Sequence, residues 1–168
     1  MELHTKRLWL REPTLEDAPL LVRLYGDAEV QKTLPQLEPV TVERMRETVA
    51  RNSERWDKEG SGMFVVFEKD SGDFAGCSGH LFWDIDGVHE TEVAYAIMPA
   101  HWRKGYATEA ALALKEDAFT RLDRKRVISL VMPGNVGSEK VAKNNGMQIE
   151  KQTVLLARYN VNVWAVAR

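Results

Sequence analysis

Pro99-Ala-His-Trp-Arg-Lys-Gly-Tyr-Ala-Thr-Glu-Ala-Ala-Leu-Ala113 is the stretch from which the rest of the chain is read. It follows a strand-like run, Glu92-Val-Ala-Tyr-Ala-Ile-Met98, that ends at a proline. A short loop carrying Arg103 and Lys104 leads to Gly105, and an alanine-rich helix begins at once. A strand, a basic glycine turn and a helix N-terminus in that order form a site for a phosphate or pyrophosphate. The first-turn N–H groups have no intrahelical partners, the macrodipole makes that end positive, and glycine lets backbone approach the anion. Ala107, Ala110 and Ala111 are small enough to let the helix lie close on a sheet.

Outward from this point the chain alternates helices and strands. Residues 6–12 read as a strand, with Leu8 and Leu10 at period two. Thr14, with Asp17 at the capping-box position, starts a helix; a loop through Pro35 and Pro39 follows. Thr41 starts a second helix, with Val42, Met45, Val49 and Trp56 on one face and Gly60 closing it. Three strands come next, over 63–67, 74–83 and 88–98. Ser71-Gly72 and Asp86-Gly87 are the turns between them. Beyond the central helix lie a strand over 127–132, a short helix from Asn135 to about Asn144 ending at Gly146, and two final strands before Val166. The expected fold is a single α/β domain over residues 1–168, with a mixed, largely antiparallel seven-stranded sheet and about four helices.

Composition bounds the function. The 168 residues are 44% hydrophobic and 29% charged, which suits one domain with a real core. A net charge of −2, with acidic and basic residues interleaved, argues against nucleic acid or an anionic membrane as partner. The single cysteine, Cys77, fits a reducing compartment and lies in a strand pattern as a small buried residue. His4, His80, His89 and His101 lack metal-ligand spacing, so no metal is expected. The first residues lack an apolar signal core and no run reaches the length of a membrane span, so a cytoplasmic protein is expected.

Trp102-Arg-Lys-Gly-Tyr-Ala107 resembles the acetyl-CoA pyrophosphate loop of the GNAT acyltransferases, whose pattern is Gln/Arg-x-x-Gly-x-Gly/Ala; Trp102 departs from its first position. Tyr106-Ala-Thr-Glu-Ala110 is similar to the RimJ/RimL-like branch, which acetylates ribosomal-protein N-termini. Thr5-Lys-Arg-Leu-Trp-Leu-Arg11 with Thr14-Leu-Glu-Asp-Ala18, and Asn135-Val-Gly-Ser138 through Asn145-Gly-Met147, resemble that branch's opening and closing segments in family order. The resemblance implies acetyl-CoA as co-substrate, bound by Ile97, Met98, Arg103, Lys104, Gly105, Tyr106, Ala107, Thr108, Asn135 and Ser138. It implies backbone N–H groups around Ile97 and Met98 as donors to the acetyl carbonyl and pantetheine amides. The acceptor it implies is a primary amine, by default a protein N-terminus, with a small molecule such as a polyamine, amino acid or drug as the alternative within that branch. A homodimer is the family-level expectation.

Acetyl transfer to an amine needs a neutral nitrogen, a place for the oxyanion and an exit for the thiolate. At pH 7, deprotonating a lysine-like amine costs roughly 4.6 kcal/mol and an α-amine roughly 1.2 kcal/mol. Glu92 is the candidate base, directly or through water, because the resemblance places an acidic residue on this strand; an exposed hairpin glutamate is the other reading. On a regular strand Tyr95 faces away from Glu92, which suggests core packing. The family's tyrosine proton donor falls on Ala142, so it is absent; in the RimL-like branch a serine replaces it, here Ser138. Asn135 reads both as the N-cap of its helix and, by resemblance, as a contact to pantetheine. Loss of that tyrosine leaves a second reading, a non-catalytic acyl-CoA-binding regulatory module.

Overall fold

In the computed structural model, which describes residues 1–35 and 39–168, Asp86 and Gly87 sit at φ +50° and +79°. This paired left-handed geometry closes a tight hairpin, and Ile85 pairs with Val88 across it. The hairpin joins β4 (Phe74–Ile85) to β5 (Val88–Ile97), the longest ladder in the sheet. Around it stand β1 (Glu2–His4), β2 (Leu8–Arg11), β3 (Met63–Glu68), β6 (Arg126–Val131), β7 (Gln148–Leu155) and β8 (Tyr159–Ala167). The sheet order is β1-β2-β3-β4-β5-β6-β8-β7, and every pairing is antiparallel except β5 with β6.

The described residues thus hold eight strands where the sequence predicts seven. The added strand, β1, is three residues long and rests on β2 with Leu3 opposite Leu10. Five α-helices are described: α1 (Ala18–Tyr25), α2 (Ala28–Gln31), α3 (Val42–Glu59), α4 (Tyr106–Thr120) and α5 (Val136–Asn144). The additional one, α2, is four residues long and is started by Asp27, whose carboxylate accepts from the N–H groups of Glu29 and Val30. Of the loop predicted through Pro35 and Pro39, residues 36–38 lie outside the described residues. The expected caps are in place: Thr41 accepts from Arg44 N at α3, and Gly60 at φ +73° ends it.

Alternation along the strands divides the core between two faces. Phe64, Val66 and Val93 pack with Ala110, Ala111 and Leu114 of α4 and Val141 of α5. Val65, Cys77 and Ala96 pack with Leu21 and Leu24 of α1 and Met45 and Val49 of α3. The buried Cys77 thiol is pushed up to about 12 by burial, so it remains a packed thiol.

One polar clamp ties these layers together. His80, fully buried on β4, lies 3.0 Å through Nε2 from the Leu114 carbonyl of α4 and 2.7 Å through Nδ1 from Ser61 Oγ. A carbonyl only accepts, so Nε2 carries the proton and Nδ1 accepts from the serine: the imidazole is neutral. Burial pushes its pKa down to about 4. The unfolded chain therefore takes up a proton near pH 6.5 that the folded chain refuses, and stability falls as pH drops from there towards 4. Between pH 7 and pH 5 this loss is about 2 kcal/mol. Urea titrations at the two pH values should show wild type losing that much more than His80→Gln; equal losses would mean that His80 does not stay neutral.

Candidate active site

β5 and β6 run side by side only briefly, with Glu92 opposite Ile128 as their paired position. Past that point β6 continues along β8 from Arg126 to Val131, and β5 continues along β4 to Ile97. The two neighbours part, and the β6-side edge of β5 is left open. Which backbone groups face this gap follows from strand alternation. Met98 donates its N–H to Ala75 O of β4 at 2.8 Å, so even-numbered residues of β5 bond to β4 and odd-numbered ones point at β6. Tyr95 and Ile97 therefore turn their N–H groups into the gap. This corrects the expectation for Met98, whose donor is consumed by the sheet. The Ile97 carbonyl on the same edge accepts from Trp102 Nε1 at 2.6 Å, which gives the departure at the loop's first position a structural role.

Two clefts meet at the gap from opposite faces of the sheet. The larger, about 930 Å³, runs along the α4–α5 face between the N-termini of those helices. Ile97, Arg103, Gly105, Tyr106, Ala107, Thr108, Asn135 and Ser138 all line it. Gly105 takes φ +81°, which a side chain tolerates poorly, and leads directly into α4, so the N–H groups of its first turn open into the cleft. With the Arg103 guanidinium and Lys140 on the rim, this donor set fits a diphosphate. Lys104, between Arg103 and Gly105 in the same loop, has its ammonium 3.5 Å from His101 Nδ1 and 5.7 Å above the Tyr106 ring. The Tyr106 hydroxyl is anchored by a hydrogen bond to Glu68.

The smaller cleft, about 280 Å³, lies on the α1–α3 face with Glu92 in its wall. Glu92 is buried, not an exposed hairpin residue, with 7% of its surface accessible. Trp83 Nε1 donates to Oε2 at 2.6 Å and Leu130 N to Oε1 at 3.3 Å. Burial raises the carboxyl to about 7; the two hydrogen bonds oppose this only in part. Tyr95 and Ser138 line both clefts and so mark their junction, as does Asn135. Asn135 caps α5 by accepting from Ser138 N at 3.2 Å, and its Nδ2 lies 3.4 Å from Thr33 O. The position expected to lack a tyrosine, Ala142, is buried against α4 and the sheet.

These observations meet the comparisons with known proteins. Residues 7–148 match the family model described as an acetyltransferase (GNAT) domain. The chain belongs to the GNAT acetyltransferase family. Among curated GNAT relatives, it is 30% identical over 154 residues to p20 of Bacillus licheniformis, named an uncharacterized N-acetyltransferase, covering 91% of this chain and 84% of that protein. It is 30% identical over 151 residues to YnaD of Bacillus subtilis strain 168, likewise named, covering 89% and 84%. Among solved structures the fold is similar to RimL, a ribosomal-protein α-N-acetyltransferase in complex with coenzyme A, with a TM-score of 0.83, 21% identity and 99% and 98% of the two chains covered. The GNAT assignment makes this chain an acetyl-CoA-dependent N-acetyltransferase. No described helix is long and apolar enough to cross a membrane, and no group of three or more metal-ligating side chains occurs among the described residues.

Two contributors to the site escape a reading of the sequence. Tyr95, expected to be core packing, does face away from Glu92 and packs on the α4 side, yet its hydroxyl reaches Ser138 O at 3.0 Å. Arg7 locks the glycine loop from the other end of the chain. Its Nη1 donates to Lys104 O at 2.8 Å, its Nε to Glu109 at 2.6 Å, and its guanidinium lies 4.7 Å over Tyr106. The only signal for Arg7 is its place in the Thr5–Arg11 segment; nothing in the sequence pairs it with the loop.

Gly105→Asp should weaken acetyl-CoA binding at least about tenfold, because a carboxylate would stand where the α4 N-terminus receives an anion. Calorimetric titration of the folded variant checks this, and unchanged affinity would remove the loop from the cofactor site.

Proposed function

We propose that this enzyme passes the acetyl group of acetyl-CoA directly to a primary amine, with the thioester entering along the α4–α5 face and the amine along the α1–α3 face. The observation that carries the reading is the meeting of two clefts at a sheet gap edged by the amides of Tyr95 and Ile97, with a buried carboxylate on one side only. Those amides suit the thioester carbonyl and the pantetheine amides, and preorganised donors of this kind contribute a few kcal/mol. The loop from Arg103 through Thr108 holds the diphosphate, and Asn135 sets the α5 end of the cleft.

In this reading the amine nitrogen attacks the thioester carbonyl carbon, the C–S bond breaks, and the sulfur leaves with the electron pair. Glu92 takes the amine's proton, directly or through one water. A carboxyl that titrates near pH 7 is well matched to this transfer, since it is half ionised at neutrality and a stronger base than an ordinary glutamate. Ser138 stands at the junction, where its hydroxyl donates to the departing sulfur. Nothing among the described residues bonds its Oγ, while its N–H and carbonyl are held by Asn135 and Tyr95. Tyr95, kept protonated by burial, positions that turn of α5. A protein N-terminus as acceptor is supported by the likeness to RimL, whose name gives that class of substrate; small amines are the other source.

Glu92→Gln tests the base. Wild-type activity should decline as pH falls through about 7, where the carboxylate takes up its proton, and the variant should lack that limb. At pH 7 the variant should lose about 10²-fold in kcat/KM, and with an α-amine acceptor the defect should shrink towards pH 9 as neutral amine forms unaided. Parallel profiles with full activity would exclude Glu92 as base. Ser138→Ala should lower kcat about tenfold or more while leaving the acetyl-CoA KM nearly unchanged, the mark of a bond made in the transition state. Normal turnover at saturating acetyl-CoA would leave Ser138 a helix-start residue.

A further inference from the structure

The smaller cleft says more about its occupant once its polar groups are accounted for one by one. Trp83 spends its N–H on Glu92. Ser129 gives its hydroxyl proton to Val93 O at 2.8 Å, and Thr33 gives its own to Val30 O at 2.7 Å. The Asn135 amide is divided between Ser138 N and Thr33 O, and the Tyr95 hydroxyl proton goes to Ser138 O. The Tyr25 hydroxyl is turned onto the Cys77 thiol. Of the side chains, the Glu92 carboxylate and the Ser138 hydroxyl are what remain, beside the Tyr95 amide at the gap, and Glu92 is the only carboxylate among the described residues lining the cleft. The walls between them are Leu34, Leu81, Leu130, Leu155 and Leu156.

Leu156 supports this reading independently. It sits in the hairpin between β7 and β8 at φ +53°, followed by Ala157 at φ +54°. Left-handed geometry at two successive residues with side chains is strained, and glycine or asparagine would relieve it. The hairpin instead keeps a leucine that is 48% exposed and lines the cleft.

We infer that the acceptor presents one primary amine, met by Glu92, on a small apolar group that carries no second charge and no polar side chain. This rests on the acetyl-transfer reading above. A second ammonium, as in a polyamine, would meet no further carboxylate among the described lining residues, and a hydroxyl or carboxylate on the body would lie against leucine walls, where the protons of Thr33, Ser129 and Tyr95 are already given away. An opening of about 280 Å³ suits a body smaller than a drug-sized ligand. The chemistry is shared by a free apolar amine and by a peptide beginning with an apolar residue.

The test measures coenzyme A release by the full chain with 2-phenylethylamine, spermidine, and tetrapeptides beginning with Phe, Ser or Asp. Either 2-phenylethylamine or the Phe peptide should exceed spermidine and the Ser and Asp peptides by at least about tenfold in kcat/KM, and whichever leads names the source. A smaller margin, or a lead by spermidine or a polar peptide, overturns the inference and leaves acetyl transfer standing. No release with any amine, by protein that binds acetyl-CoA in calorimetry, overturns the acetyl-transfer reading and this inference with it. In Leu156→Asp, folded by circular dichroism, the ratio of 2-phenylethylamine to spermidine kcat/KM should drop at least about fivefold; an unaltered ratio would overturn the assignment of this hairpin to the acceptor site.

Discussion

Past Glu92 the backbone of β5 has β4 on one side and no strand on the other, and the site is organised around that asymmetry. An unpaired amide inside a sheet is costly unless something accepts from it. The β5 edge meets part of this demand internally, through Trp102 on the Ile97 carbonyl. The amides of Tyr95 and Ile97 are left facing a cleft, so the fold stays short of acceptors at the place where a carbonyl substrate would supply them. The parting also brings the first turn of α5 against the gap, since this helix follows β6 directly and Tyr95 reaches across to Ser138.

The charges are arranged in complement. On the α4–α5 face the positive ends of two helices converge, and Arg7 braces the glycine loop by binding the Lys104 carbonyl. In the cleft on the other face, the one carboxylate among the described lining residues, Glu92, is held by one indole and one amide donor among leucines. Two donors hold Glu92 in place but do not make up for the water it has lost, which is why its proton affinity rises instead of falling. In the proposed reading, anion recognition and proton handling are thus kept apart by the thickness of the sheet.

Much of the fold could be read from residues whose geometry is local. Asp86-Gly87, Thr41 with Gly60, and the Met98–Gly105 sequence each state their conformation within a few positions. The three-residue β1 and the four-residue α2 carry too little periodicity to be seen in advance. The site was legible only where it is local as well: the glycine loop and the Asn135 cap could be placed, but the state of Glu92 could not. Its burial depends on Trp83 across the hairpin and on Leu130 from another strand. The exchange of Met98 for Tyr95 as donor has the same origin, since which residues of β5 face the gap is settled by register with β4. The Lys104 ammonium lies beside His101 and the Tyr106 ring, a contact that nothing in the sequence announces.

In the proposed reading, the two mouths, opening on opposite faces and sharing Thr33, Tyr95, Ala96, Asn135 and Ser138 among the described residues, also bear on how turnover is ordered in time. Neither substrate has to pass the other to reach the reacting centre, and neither product stands in the other's way out. Release therefore needs no queue: coenzyme A and the acetylated amine can depart in either sequence, and a slow exit on one face does not shut the door on the other.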